Sequence, residues 1–217
     1  MLLLDALHEE HTRIEPVVGA LRTYVMLRAR GEGDRDDAAA FLRFLRKYAG
    51  AFHHEREEQV LFPALIEHTH LSAARGPVAA LVAQHRELES ALADLAPLLE
   101  GPLEGAGARR LALSLAHRYA GGLEVHIDVE ESELLPESEA RLRRCGVLEL
   151  AARGPTDEEL AVLEEGLALV RRYPPTEDPS VVRGEGCVVC PSFGILCDGV
   201  ETEWWTEQER EEFPDHL

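Results

Sequence analysis

The feature that most constrains this chain is an internal repeat built on histidine and glutamate. His53-His54-Glu55-Arg56-Glu57-Glu58-Gln59-Val60-Leu61-Phe62-Pro63 and His126-Ile127-Asp128-Val129-Glu130-Glu131-Ser132-Glu133-Leu134-Leu135-Pro136 share the frame His-x-x-x-Glu-Glu-x-x-Leu-apolar-Pro. A shorter His-x-x-x-Glu frame runs from His11 to Glu15 and again from His85 to Glu89. The long frames lie 73 positions apart and the short ones 74. Two nearly equal offsets mean that one helical hairpin has been repeated, and two such hairpins pack as a pseudo-two-fold bundle.

Residues four apart lie on one helix face, one above the other. Leu61, Ala64 and Leu65 continue the His53/Glu57 face, and Leu134 continues the His126/Glu130 face, so these polar residues point toward the expected core. Buried charge is costly unless it is paired or bound to a metal. Four helices sending histidine and glutamate inward therefore call for cations. His54 and Glu58 form a rival pair in the same frame. Ile127 stands where His54 would repeat, so the repeat assigns His53 and Glu57 as ligands and leaves His54 and Glu58 at the flank.

Apolar residues at helical spacing predict four long helices, Leu2 to Arg30, Asp36 to Thr69, Pro77 to about Gly101, and Ala108 to Arg144. Short joins rich in glycine, proline or small residues make the neighbours antiparallel. The expected fold is all-α, an up-down-up-down four-helix bundle with an extra helix and a cysteine-containing tail. Thr156-Asp157-Glu158-Glu159 reads as a capping box for that extra helix, which ends near Tyr173. The expected domains are the bundle over 1–145, the additional helix over 146–173, and a proline-linked tail over 174–217.

Composition narrows the partners. With 217 residues the chain suits one domain plus an appendage, and 45% hydrophobic residues suffice for a core. A net charge of -19 repels nucleic acid and anionic membranes alike. The start, MLLLDALHEE, has too few apolar residues for a signal peptide, and no run reaches a membrane span, so the expected location is cytoplasmic. No Ser/His/Asp triad and no glycine-rich phosphate loop is evident.

The chain up to about residue 144 resembles the hemerythrin-like HHE cation-binding family, most specifically over His53-His54-x-x-Glu57-Glu58-x-x-Leu61-Phe62-Pro63. By that resemblance His11, His53, Glu57, His85, His126 and Glu130 are metal ligands, with Glu57 and Glu130 bridging two iron ions. The resemblance implies an oxo- or hydroxo-bridged di-iron centre that binds oxygen, nitric oxide or peroxide. Oxygen-carrying hemerythrins place a second histidine four residues after the third-helix one, whereas Glu89 stands there in this chain. Glu89 and Glu15 are then further candidate ligands, with Glu89 favoured. Carboxylate in place of imidazole adds hard oxygen donors and favours the ferric state. The expected site is thus poorer at reversible oxygen carriage and better at oxidising ferrous iron or reacting with peroxide. Pro16, next to Glu15, is expected to kink or shorten the first helix. His8, His68, His70 and His117 read as ordinary polar residues.

The tail carries Cys187-Val188-Val189-Cys190 and Cys197, a second metal or redox site. A C-x-x-C is half of many zinc sites, and Asp198, His216 or Cys145 is available as a fourth ligand. A redox-active dithiol, a disulfide and inert cysteines are the alternatives. The tail is expected to fold back on the bundle through Trp204, Trp205 and Phe193. Three functions remain open: a di-iron sensor or store for oxygen, nitric oxide or iron; a ferroxidase or peroxidase-type oxidoreductase; and a redox-responsive protein whose tail contacts a partner.

Overall fold

The structure is a computed structural model and describes residues 1–176 and 204–212. The described residues form helices and connecting segments, with no strand among them. Helix α1 is Leu2–Arg30; α2 spans 37–69, α3 is Gly76–Glu100, α4 spans 105–144, α5 is Asp157–Arg172, and the short α6 is Glu207–Glu212. Helix α1 ends where Gly31 takes φ 82° and its N–H reaches Arg28 O and Leu27 O, a left-handed stop that glycine adopts without steric cost. Pro16 lies inside α1 and does not shorten it, since the helix runs on for fourteen residues to Arg30.

Contacts fix how the helices run. Along α1, Tyr24 stacks on Phe41 near the start of α2 while His11 meets His53 farther along, so the two are antiparallel. The amino terminus of α1 meets Glu139 near the end of α4. His85 of α3 contacts Glu58 of α2 and His126 of α4. Helix α5 starts at the capping box, with Glu159 N–H donating to Thr156 Oγ1 and Thr156 N–H donating to the Glu159 carboxylate. It packs on α1 and α2: Gly166 leaves room for the buried Phe44 ring, and Tyr173, just beyond its end, sits edge-on to Tyr24 at 5.1 Å.

Helices α2 and α4 are not plain α-helices. Wider π-helical turns occupy Phe44–His54, Glu57–Leu61 and Glu130–Leu134. The two five-residue turns start at the repeated glutamates and end just before Phe62-Pro63 and Leu135-Pro136. Proline has no N–H and its ring crowds the carbonyl four residues back, so a locally widened ladder accommodates it. The turns also rephase the buried face. Leu45, Ala49, His53, Glu57, Leu61 and Leu65 are all buried at a strict spacing of four. In an ideal α-helix that row would drift by about 200° over five steps, at ~100° per residue; π turns hold it on the core.

Two apolar clusters result. One gathers Ile14 to Val25 of α1 with Phe41, Phe44, Tyr48, Leu92, Leu95, Tyr119 and α5. The other gathers Leu3, Leu4 and Leu7 with Leu61, Phe62, Leu81, Leu134, Leu142 and Trp204. In sequence and space the histidine and glutamate layer falls between them. Trp204 is buried, its Nε1–H donates to Glu133 at 2.7 Å, and the Arg141 guanidinium lies 5.3 Å from its ring centre. Phe193 and the cysteines Cys187, Cys190 and Cys197 lie outside the described residues. Cys145 is exposed with a free thiol. No described helix is long and apolar enough to cross a membrane.

Candidate metal centre

Two groups of buried side chains lie side by side among α1 to α4 and share one carboxylate. One comprises His11, His53, Glu57 and Glu130; the other comprises His54, Glu57, His85 and His126. Within each group the candidate ligand atoms lie within 4.8 Å of one another, and Glu57 belongs to both. The Glu57 carboxylate stands between two helices' histidines, 3.8 Å from His53 Nε2 and 3.4 Å from His85 Nε2. Glu130 does the same from α4, 3.2 Å from His126 Nε2 and 3.2 Å from His11 Nε2. Each carboxylate therefore reaches toward its own helix's histidine and one on another helix, the placement of a bridging ligand.

The imidazoles are oriented from outside. Their Nε2 atoms converge, His11 on His53 at 2.9 Å and His85 on His126 at 3.1 Å. Their Nδ1 atoms point outward to fixed partners: His11 to Glu131 at 2.5 Å, His53 to Glu10 at 2.9 Å, His85 to Glu58 at 2.7 Å and His126 to Gln84 at 2.9 Å. An acceptor on one ring nitrogen sets the tautomer and leaves the other free for a metal. These partners repeat with the ligands: Glu131 and Glu58 are 73 positions apart, Gln84 and Glu10 are 74. Arg56 holds the buried Glu10 carboxylate in an ion pair.

Electrostatics show what the protein alone cannot balance. All four oxygens of Glu57 and Glu130 are buried without a hydrogen-bond partner, as is His54 Nε2. Such groups ordinarily cost about 1–3 kcal/mol each. Protons partly substitute for cations. Burial disfavours the imidazolium of His11, yet the Glu130 and Glu131 carboxylates outweigh it and raise its pKa to about 10. Glu57 and Glu58 do the same for His85, also to about 10. His54 and His126 are pushed well below 6.5 by burial and by neighbouring imidazoles, His85 foremost. Burial and the adjacent Glu57 charge raise Glu130, while Glu57, despite its burial, is pulled down by His53 and His85. Five imidazoles and two carboxylates with no other partner suit borderline transition metals.

Six sequence-derived ligands come together here: His11, His53, Glu57, His85, His126 and Glu130. Glu89 does not join them. It is exposed and lies in neither group, because His54 stacks flat on His85 at 4.0 Å and Glu57 supplies the carboxylate from α2. Glu15 is half-buried and also outside both groups. His54, set at the flank by the repeat, is instead a member of the second group. Glu89, from which the ferric preference was argued, stands outside both groups. The adjacent His-His of the long frame was the signal for His54, and the Glu10/Gln84 offset was the signal for the outer partners.

A cleft of about 480 Å³ between α2 and α3 opens at His54, with Glu58, Glu89, Leu88, Leu92 and Tyr119 among its walls. Exposed His8 reaches Glu131 at 2.7 Å, while His68, His70 and His117 lie at the surface.

Fold and site together define, over the described residues, a helical protein with buried, paired histidine–glutamate groups that could hold cations. The chain belongs to the hemerythrin HHE cation-binding domain family, whose family model matches residues 2–138. No curated protein and no solved structure matches the chain.

Proposed function

We propose that this chain is a non-haem di-iron protein that binds or reacts with oxygen, nitric oxide or peroxide in a sensing, storage or redox role. This reading takes α1 to α4 as an up-down-up-down bundle with one ion in each buried group. The observation that carries it is the pair of glutamates whose four oxygens are buried without hydrogen bonds between inward-facing imidazole nitrogens. Cations at that position would satisfy both carboxylates at once, which the protonated His11 and His85 beside them do only in part. Bound there, iron would supply reversible one-electron chemistry and coordination positions for a small ligand.

The protein's own share follows from the geometry. His11, His53, His54, His85 and His126 would offer the nitrogen donors, and Glu57 and Glu130 the carboxylates that would hold the ions between them. Glu10, Glu58, Glu131 and Gln84 hold four of the rings in place. The two halves are unequal, since the first group contains two histidines and the second three. An ion held at His11 and His53, where Ile127 stands in place of a third imidazole, would have two imidazole and two carboxylate donors, against three imidazoles and one carboxylate in the other group.

Metal analysis with an optical spectrum tests this on protein from iron-supplemented cells, alongside the triple variant His53→Ala, Glu57→Ala, Glu130→Ala. Two irons per chain, with near-ultraviolet charge-transfer absorption lost in the variant, is the expected result. Iron-free protein, or iron content indifferent to the three changes, refutes the reading.

A further inference from the structure

We propose that the cleft between α2 and α3 is a binding site for an uncharged organic molecule with an apolar body and a hydroxyl group. The proposal rests on the reading of the buried groups as a metal centre. Four of the five histidines have a protein partner on Nδ1. His54 instead packs against the rings of His53, His85 and His126, and its Nε2 is buried without a hydrogen-bond partner, although the residue is 8% exposed and belongs to the second group. It also lines the cleft. A metal-bound imidazole donates its other N–H, and almost always to a carboxylate, a carbonyl or water. For His54 the cleft supplies that acceptor, either water or a bound molecule that displaces it.

The walls define its chemistry. At about 480 Å³ the space lies within the range of organic-ligand sites, ~300–1,000 Å³, and exceeds what a diatomic needs. Leu45, Leu88, Leu92 and the Tyr119 ring make an apolar lining. Three carboxylates, Glu55, Glu58 and Glu89, face the same space with Arg46 as the cation in the lining; Glu58 is paired with His85 and Glu55 with Arg153, which leaves Glu89 as the principal negative charge. An anionic acceptor is repelled there. A hydroxyl accepts from the His54 N–H and donates its own hydrogen to a carboxylate, so it satisfies both sides. The repeat mate of His54 is Ile127, buried at 2% exposure with no nitrogen to offer, so the site is a property of one half of the pseudo-symmetric centre.

Ligand-observed NMR titration of the iron-loaded full chain decides the matter, using 4-ethylphenol, 4-hydroxyphenylacetate and ethylbenzene as probes. Saturable binding of 4-ethylphenol is expected, at least about tenfold tighter than the anion or the hydrocarbon. Ala93→Trp, an exposed position on the cleft wall, is expected to weaken it by at least about tenfold while iron content stays unchanged. Glu89→Lys should narrow the gap between the phenol and the anion. Full iron content without saturable binding, or binding that Ala93→Trp leaves intact, overturns this inference alone. Iron-free protein overturns the metal reading and this inference with it.

Discussion

Replacing His54 by isoleucine copies into the first half the residue that the second half carries at Ile127. Its effect on stability should change sign with metal. Without metal, His54 Nε2 is buried and unpartnered, and its pKa, lowered by burial and by the His85 charge, keeps the ring neutral. An unsatisfied buried polar atom costs about 1–3 kcal/mol. The stack on His85 at 4.0 Å returns about 0.5–1.5 kcal/mol of that. The metal-free variant should therefore be about 1 kcal/mol more stable, a melting shift of roughly 2–4 °C at this size. With metal, the second group falls from four candidate donors to three. A ligand at a hundred times its Kd contributes about 2.7 kcal/mol, so the variant should forfeit roughly 5–11 °C of metal-induced stabilisation. Metal per chain should fall from two to one. Thermal melts of both proteins, chelated and reloaded, give the comparison. A variant that is less stable when metal-free and keeps its full metal-induced gain refutes the reasoning.

Three further changes test the surroundings. Arg56→Met leaves the Glu10 carboxylate buried without its cation and should cost about 3–5 kcal/mol in urea unfolding, most of it recovered when Glu10→Gln is added; an effect under about 1 kcal/mol contradicts the assigned pairing. Gly166→Ala puts a Cβ 2.4 Å from the Phe44 ring. Overpacking of about 1–3 kcal/mol should outweigh the ~1 kcal/mol helical gain, so a rise in melting temperature would show that α5 does not dock on α2 as described. The Arg153 and Thr156 contacts of Glu159 depress its pKa from 4.5 to about 2, so its stabilisation is present above pH 4.5 and lost as pH falls toward 2. Glu159→Gln should flatten the stability profile across that interval, and a profile equally steep in both proteins excludes the contribution.

Much of the molecule was legible in the chain itself. Apolar periodicity and turn residues located the long helices, and Thr156 to Glu159 located the start of α5. Four-residue spacing put the repeated histidines and glutamates on inward faces and assigned His53 and Glu57, and the resemblance to the HHE family added His11, His85, His126 and Glu130, which makes six of the seven side chains in the buried groups. The repeat failed at His54, where it assumed that the two halves match. Only tertiary structure decides which neighbour each face meets. Helix α2 lies between α1 and α3, and one residue's step turns the helix by about 100°, so His53 meets His11 of α1 while His54 stacks on His85 of α3. Consecutive residues thus serve opposite halves of one centre. The same reason bears on Glu89: spacing sets it one turn beyond His85, but it is exposed, and Glu57 and His54 from α2 are the groups beside that imidazole. The π turns before Pro63 and Pro136 belong to this second level too, since they start at the two buried glutamates and end just before the prolines.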